Sequence, residues 1–179
     1  MEIYQPAEDS YLLSEVLTDY LSGKSKHIKI LDMGSGSGIQ AQTCKQLGFN
    51  NILTADINKE AIKNLKKQGF KSIHSDLFSN INKKEKFDLI IFNPPYLPEH
   101  KYDKEKDTTG GKKGFETILA FLQQAKPFLN KEGAILLLFS SFSQPKIIIE
   151  KAESLGYKTK ELSSKKLFFE ELFVFVLYK

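Results

Sequence analysis

Arginine is absent from this sequence of 179 residues, and all 26 of its basic residues are lysines. Arginine is the side chain that most often reads guanine, and it clamps phosphates and carboxylates through two parallel hydrogen bonds. We therefore do not expect this chain to bind duplex DNA sequence-specifically. Its net charge of +4 still permits non-specific attraction to a polyanion.

Cysteine and long apolar segments are also scarce. Cys44 is the single cysteine, which excludes an intramolecular disulfide, and the three histidines are too scattered to form a metal site. The longest strongly apolar stretch, 167–177, includes Glu170 and Glu171 and is far shorter than the roughly 20 residues of a membrane helix. The N-terminus has no basic or apolar region typical of an export signal. We expect a cytoplasmic protein without a metal or a membrane span.

Length and composition fit a single folded domain over 1–179. Hydrophobic periodicity predicts helices and strands in alternation. Helices are expected over 6–21, 39–47, 115–129 and 145–155, and between the cap residue Asn58 and the stop residue Gly69. Strands are expected over 28–33, 52–57, 71–75, 87–92, 134–140, 157–162 and 167–178.

This alternation is typical of a mostly parallel sheet with helices on both faces. The last two strands are too close together for a crossover helix, so we expect them to pair antiparallel. The apolar run 167–177 is predicted to lie in the core of the sheet. A polar loop over about 97–114 is longer than compact folds usually contain, and such loops tend to be functional or disordered.

Acidic residues and glycines follow the predicted strands. The first strand ends at Asp32 and enters Gly34-Ser35-Gly36-Ser37-Gly38, where glycines allow a tight turn and the close approach of a ligand. Asp56 ends the second strand and can accept both hydroxyls of a ribose. Asp76 and Leu77 follow the third strand and suit the amine and the ring of an adenine. Since ligands bind at the carboxyl ends of parallel strands, a nucleotide-like cofactor is expected there.

The glycine pattern alone does not choose that cofactor. Gly36-x-Gly38-x-x-Ala41 also fits the relaxed fingerprint of NAD-binding proteins. Asp32, however, stands just before the glycines, where its carboxylate would repel a pyrophosphate and attract a sulfonium and an ammonium group. The ending of the fourth strand also disfavours NAD.

That fourth strand ends in Asn93-Pro94-Pro95-Tyr96. The side-chain oxygen of Asn93 and the carbonyl of Pro94 can each accept one N–H of a planar NH₂ group, which aims the nitrogen lone pair at the methyl. Positioning and electrostatics then carry the transfer without a strong base. The two prolines stiffen the turn, and Tyr96 can stack on the planar group. The motif does not choose between glutamine and adenine.

These residues resemble the class I S-adenosylmethionine-dependent amino-methyltransferases, and within them the HemK/PrmC group. The start of the chain points to the stand-alone archaeal and eukaryotic branch of that group. The motifs that carry the resemblance are Tyr4-x-Pro6-Ala7-Glu8-Asp9-Ser10, Asp32-x-Gly34-x-Gly36-x-Gly38, Asp56-Ile57-Asn58, Asp76-Leu77, Asn93-Pro94-Pro95-Tyr96 and Gly110-Gly111-x-x-Gly114.

The resemblance implies a Rossmann-like, seven-stranded, mostly parallel sheet with strand order 3-2-1-4-5-7-6 and an antiparallel last strand. It implies S-adenosylmethionine as cofactor and S-adenosylhomocysteine as product. The implied reaction methylates the side-chain amide nitrogen of glutamine in the Gly-Gly-Gln motif of a class I translation release factor. It assigns catalysis to Asn93, Pro94 and Tyr96, substrate binding to these three and Pro95, and cofactor binding to Ser10, Asp32, Gly34, Gly36, Gly38, Asp56, Asp76, Leu77 and Asn93.

The resemblance also implies a partner, because members of this branch work with a small zinc-ribbon activator protein. In the implied strand order, 70–75 forms an edge strand to which an activator could add a strand of its own. Phe70 and Ile73 would then be covered by the partner, unless they pack inward against the neighbouring helix.

Other functions stay open at this point. An N6-adenine methyltransferase acting on RNA or DNA would use the same chemistry, but the missing arginines and the lack of room for a target-recognition domain disfavour it. A non-catalytic cofactor-binding scaffold subunit would have no need for an intact Asn93-Pro94-Pro95-Tyr96. The same motif disfavours methylation of protein lysines.

Overall fold

The computed structural model describes residues 3–97 and 111–179, and helices and strands alternate through them. The elements are α1 (Glu8–Leu21), β1 (Ile30–Met33), α2 (Ile39–Gln46), β2 (Ile52–Asp56), α3 (Lys59–Lys67), β3 (Lys71–His74), β4 (Phe87–Phe92), α4 (Glu116–Ala125), β5 (Leu129–Ser140), α5 (Pro145–Ser154), β6 (Lys158–Lys166) and β7 (Glu171–Tyr178). Short 3-10 helices flank β5 at Lys126–Phe128 and Ser141–Ser143.

The seven strands form one sheet of order β3-β2-β1-β4-β5-β7-β6. Strands β1 to β5 pair in parallel, and β7 is antiparallel to both β5 and β6. The predicted fold class and strand order are therefore confirmed. The chain runs outward from β1 in both directions, to β2 on one side and to β4 on the other. In folds of this type the reversal leaves a ligand-binding crevice at the carboxyl ends of the strands.

Two apolar layers cover the sheet. On one face, Ile30 and other sheet residues pack against α1, α2 and α3, with Leu17 and Leu65 fully buried. On the other face, Leu31 and its neighbours pack against α4 and α5. Because both faces are covered, all residues of β1 and β2 are buried, which explains why these strands appear in the sequence as short apolar runs.

Local signals set several element boundaries. The Asn58 side chain accepts a hydrogen bond from the Glu60 N–H at 2.9 Å, so it caps α3 as predicted. The first helix, predicted from residue 6, begins at Glu8 after the extended residue Ala7. The structure starts β5 at Leu129 and extends β6 to Lys166, so both strands are longer than predicted. Most residues of these extensions are polar, so apolar periodicity does not detect them.

The prediction that the whole run 167–177 lies in the sheet core is wrong. Strand β7 begins only at Glu171, and Phe168 and Phe169 are 92% and 80% exposed. The Leu167 N–H donates to the Glu170 carbonyl at 2.8 Å and closes a tight turn between β6 and β7. A hairpin needs a turn, and an apolar run does not show where within it the chain reverses.

The edge-strand prediction is confirmed, because β3 pairs with β2 and ends the strand order. Phe70 is buried in the layer under α3, and the half-buried Ile73 packs against the opposite layer. Both side chains therefore pack inward. This is the alternative that stood beside the prediction that a partner covers them.

Gly110 and the central part of the predicted loop, 98–110, lie outside the described residues. At Gly111, with φ +103°, a Cβ would meet the Glu116 side chain at 2.7 Å, so only glycine fits this approach to α4. No helix within 3–97 or 111–179 combines the length and the apolar character that a membrane span requires.

We predict that Phe121→Ala lowers the free energy of unfolding by about 3–5 kcal/mol, because the fully buried ring leaves a cavity behind. Phe121 contacts the rings of Phe92 and Phe78 at centroid distances of 4.3 Å and 5.5 Å. Urea unfolding measures the change, and Phe168→Ala serves as the exposed control, with an expected change near zero. Similar losses in the two variants would contradict this assignment of the core.

Candidate active site

A cavity of about 410 Å³ opens at the carboxyl ends of β1, β2 and β4. The residues after these strands form its floor, and the start of α1 closes one side. The predicted site residues that line it are Ser10, Asp32, Gly34, Gly36, Asp56, Asp76, Leu77, Asn93, Pro94, Pro95 and Tyr96. The topology thus brings together nearly all the site residues that were predicted from the sequence.

Gly38 is the exception, because it does not line the cavity. It precedes α2 with φ +90°, and a Cβ there would lie 2.8 Å from the Leu65 side chain and 2.9 Å from that of Gln68. The glycine therefore allows α2 to pack against α3. Its predicted contact with the cofactor stays a prediction.

The glycine loop is fastened to the neighbouring strands. At Gly34, with φ +62°, a Cβ would lie 3.3 Å from the Phe92 ring on β4. The Ser35 hydroxyl donates to the Asp32 carbonyl at 2.7 Å and accepts from the Ala55 N–H at 3.2 Å. These contacts hold the loop close to the sheet and leave its backbone at the cavity wall.

Both oxygens of the Asp56 carboxylate are held by the backbone. One accepts from the Gly36 N–H at 2.7 Å and the other from the Asn58 N–H at 2.7 Å. Each carboxylate oxygen can accept more than one hydrogen bond. The side chain is thus set at the mouth of the glycine loop, where the predicted contact with ribose hydroxyls can form.

The Asp32 carboxyl is buried beneath the glycine loop, with 2% exposure. Its pKa is raised to about 7, chiefly by burial. The Ala41 N–H, which donates to it at 3.2 Å, lowers the pKa, and the negative charge of Asp56 acts in the same direction as burial. No ion pair neutralises this carboxyl in the part of the chain that the structure describes. A cation in the cavity would therefore be attracted to it.

Asn93 provides the cavity with an unused acceptor. Its side-chain N–H donates to an oxygen of Asp9 at 2.9 Å. Its Oδ1 is buried and has no hydrogen-bond partner among the described residues. A buried acceptor without a partner costs free energy, so this atom is suited to a donor that arrives with a ligand.

Sequence analysis did not assign this role to Asp9. Its other carboxylate oxygen accepts from the Ser10 N–H at 2.6 Å and from the Tyr4 hydroxyl at 3.0 Å. The side chain is only 3% exposed, although its position predicts an ordinary acidic residue in the first turn of a helix. Burial and the charge of Asp9 raise the pKa of Tyr4, so this tyrosine stays a donor. The one available signal was the N-terminal motif that contains both residues.

Asp76 and Leu77 lie on the loop after β3, at the far side of the cavity. Asp76 is exposed and Leu77 is half-buried. Leu77 adopts φ +45°, a left-handed conformation unusual for this residue, and the Ser75 hydroxyl donates to its carbonyl at 2.6 Å. Such strain concentrates at ligand sites, which agrees with the predicted adenine contact.

Tyr96 is half-buried, and its backbone carbonyl accepts from the Ser143 hydroxyl at 3.0 Å. This bond ties the turn after β4 to the 3-10 helix after β5. Burial raises the Tyr96 pKa, and the negative charges of Asp9 and Glu170 act in the same direction. The hydroxyl therefore stays protonated near neutral pH and does not act as a base. Ile57 and Thr117 also line the cavity and were not predicted.

No group of three or more His, Cys, Asp or Glu side chains is arranged for a metal ion within the described ranges. The cavity instead combines three buried carboxyl groups, those of Asp9, Asp32 and Asp56, with a glycine loop and an asparagine acceptor. Together with the sheet order, these features define a class I S-adenosylmethionine-dependent methyltransferase.

Comparison with known proteins supports this class. The family model described as the methyltransferase small domain matches residues 10–160. A Methanocaldococcus jannaschii protein named for protein N5-glutamine methyltransferase activity is 36% identical, over 97% of this chain and 90% of its own length. The chain therefore belongs to the methyltransferase small domain family. The predicted resemblance, enzyme class and cofactor are confirmed.

Solved structures give the same fold. The Mtq2–Trm112 complex of E. cuniculi, described as responsible for methylation of the eRF1 translation termination factor, matches with a TM-score of 0.82 and 27% identity, covering 100% of this chain and 99% of that one. The T. thermophilus 16S rRNA methyltransferase RsmC, solved with AdoMet and guanosine, matches with a TM-score of 0.72 and 20% identity, covering 98% of this chain and 44% of that one. The second likeness concerns the fold alone.

We predict that Asp32→Asn changes the pH dependence of stability. The pKa of Asp32 is raised from its ordinary 3.8 to about 7 in the folded chain, so between these values the folded state holds a proton that the unfolded state has lost. Stability of the wild type falls as pH rises through this window, by at most about 1.4 kcal/mol for each pH unit. The asparagine does not titrate. The free energy of unfolding of Asp32→Asn, relative to that of wild type, therefore rises from pH 4 to 7 and then levels off.

Urea unfolding of both proteins at several pH values between 4 and 8 measures this difference. A difference that stays constant over the range would show that the carboxyl ionises near its ordinary pKa in the folded chain.

Proposed function

We propose that the chain transfers the methyl group of S-adenosylmethionine to the side-chain amide nitrogen of glutamine in the Gly-Gly-Gln motif of a class I translation release factor. The observation that carries the proposal is the buried Oδ1 of Asn93 at the cavity wall, which has no hydrogen-bond partner within 3–97 and 111–179. An NH₂ group is the donor that fits it. The names of the M. jannaschii relative and of the Mtq2–Trm112 complex support a glutamine in a termination factor as the carrier of that group.

The cavity suits the cofactor in charge and shape. When bound, S-adenosylmethionine supplies a methyl group attached to a positively charged sulfur. Asp32 is buried and lacks a countercharge among the described residues, so a cationic ligand offsets the cost of its ionisation. Gly36 and Asp56 would hold the ribose side, while Asp76 and Leu77 would hold the adenine. Ser10 lines the cavity from α1.

The side of the cavity around Asn93 orients the substrate nitrogen, which is a poor nucleophile. An amide nitrogen shares its lone pair with the carbonyl, so its two N–H groups must be held out of that plane. The Oδ1 of Asn93 and the Pro94 carbonyl would each accept one of them, and the Tyr96 ring would stack on the amide. Pro95 stiffens the turn that carries these groups. Such oriented hydrogen bonds are worth roughly 10²–10³ in rate.

Asp9 positions the asparagine. Its carboxylate can only accept hydrogen bonds, so it selects the NH₂ end of the Asn93 amide. The oxygen end is then left for the substrate. The bonds from Ser10 and Tyr4 hold the carboxylate itself in place, so Asp9 acts on the reaction through Asn93.

Incubation with labelled S-adenosylmethionine and three separate acceptors, namely a class I release factor, ribosomal RNA and duplex DNA, tests the substrate. We expect label on the release factor only, and on glutamine after its digestion. Asn93→Ala should reduce the rate at least a hundredfold while the Kd for the cofactor changes less than threefold. Asp9→Ala should lower kcat about tenfold and leave that Kd unchanged.

Label on either nucleic acid in place of the release factor would refute the substrate assignment. Near-normal turnover by Asn93→Ala would refute the mechanism. A parallel loss of cofactor affinity would show that Asn93 acts through cofactor binding, the other role that the resemblance assigns to it.

We also infer that the chain binds a small zinc-ribbon activator along the open edge of β3. Support comes from the position of β3 at the end of the strand order and from the presence of Trm112 in the related Mtq2 complex. The opposite edge strand, β6, carries four lysines that discourage pairing with a further strand: Lys158, Lys160, Lys165 and Lys166.

Hydrogen–deuterium exchange with and without a Trm112 protein tests this surface without any mutation. We expect slower exchange at 70–75 in the complex because the added strand gives these amides new partners. The amides of β6 form an internal control and should not change. Protection at β6 but not at β3 would place the activator on the other edge.

A further inference from the structure

Two adjacent phenylalanines protrude from the turn between β6 and β7. Phe168 is 92% exposed and Phe169 is 80% exposed, and their rings contact each other edge to face at 4.6 Å. Residues 167–170 are called the hairpin tip below. A soluble chain gains nothing for its own folding from two phenyl rings left in water, and such exposed apolar groups mark contact sites.

The hairpin tip lies at the same edge of the sheet as the cavity. Leu172, at the start of β7, pairs with Ser140 at the carboxyl end of β5. Strand β5 is parallel to β4, which ends just before Asn93. The carboxyl ends of parallel strands share one edge, so the turn before β7 emerges beside the cavity mouth.

Specific contacts hold the hairpin tip in that position. The Ser140 hydroxyl donates to the Glu170 carboxylate at 2.5 Å, and the Glu171 N–H donates to the Ser141 hydroxyl at 3.1 Å. Just before the tip, Lys165 forms an ion pair with Glu8 at 2.5 Å.

These anchors lead directly to the active site. Glu8 precedes Asp9, whose carboxylate holds Asn93. The 3-10 helix that contains Ser141 also contains Ser143, which donates to the Tyr96 carbonyl. Side-chain contacts therefore link the hairpin tip to the segments that carry the acceptor atoms.

The charges around the tip favour a protein over a nucleic acid. Lys165 and Lys166 precede the pair and Glu170 and Glu171 follow it, so the local charges cancel, and Lys165 is already paired with Glu8. A polyanion would gain no net attraction here, and the two glutamates would repel its phosphates. The edge-to-face rings also present no stacked platform for bases.

We propose that Phe168 and Phe169 dock the protein substrate by inserting into an apolar depression of the release factor, outside the segment that enters the cavity. This inference rests on the proposed function. The phenyl pair would form a second contact with the release factor, beside the cavity. The affinity for the whole release factor would therefore depend on these two rings. The chemical step itself would not involve it.

The experiment compares wild-type chain with the double variant Phe168→Ser/Phe169→Ser, using a purified class I release factor and labelled S-adenosylmethionine. We expect KM for the release factor to rise at least tenfold, while kcat, the Kd for the cofactor and the melting temperature stay close to wild-type values. Tyr178→Ser is the matched control, because this aromatic residue is 39% exposed at the opposite end of β7. Its KM should not change.

An unchanged KM in the double variant, with an active wild type, would overturn the docking proposal alone. A wild type that labels no release factor, with or without a Trm112 protein, would instead overturn the proposed function. A wild type that is dimeric by light scattering, with a monomeric double variant of unchanged KM, would show that the tip joins two copies of the chain. Weaker binding of the double variant to ribosomal RNA, with KM for the release factor unchanged, would identify a nucleic-acid contact and also refute the proposal.

Discussion

Parallel pairing of β1 with both β2 and β4 is the constraint on which the active site depends. Met33 is level with Ala55 on one side and with Phe92 on the other. The next residue of each strand therefore emerges at one level, which places Gly34, Asp56 and Asn93 side by side. A slip in register along either neighbour would separate the glycine loop from the carboxylate or from the asparagine.

Electrostatics then divides the cavity into two halves with different requirements. Around the glycine loop, Asp32 and Asp56 raise the local cost of negative charge, and a cationic ligand relieves it. Around Asn93, the need is for an oriented neutral acceptor, and Asp9 meets it by binding the NH₂ end of the amide. Asp32 therefore attracts a positively charged ligand, whereas Asp9 orients the Asn93 amide. Both carboxyl groups are buried.

Three surfaces of the same sheet have separate proposed uses. The carboxyl ends of the strands hold the cavity, the edge of β3 offers backbone groups to a partner, and the hairpin tip presents two phenyl rings to the substrate. Because these surfaces do not overlap, an activator and a substrate could bind together. The cytoplasmic location stays a prediction from the sequence alone.

Much of this arrangement could be predicted from the sequence, because strand-end residues are revealed by apolar runs that stop at polar or glycine residues. Asp32, Asp56 and Asn93 were identified in this way, and Asn58 as a helix cap. The strand order came from the resemblance of these motifs to a family. Periodicity reports which face of an element is apolar, and it reports nothing about contacts between distant segments.

Tertiary structure alone decided the remaining features. The bond between Asp9 and Asn93 joins residues 84 positions apart, so neither helix periodicity nor first-turn charge could show that Asp9 holds Asn93. Gly38 depends in the same way on the neighbouring helix. Phe168 and Phe169 belong to an apolar run in the sequence, and only the pairing of β6 with β7 shows that the chain turns there and leaves both rings exposed.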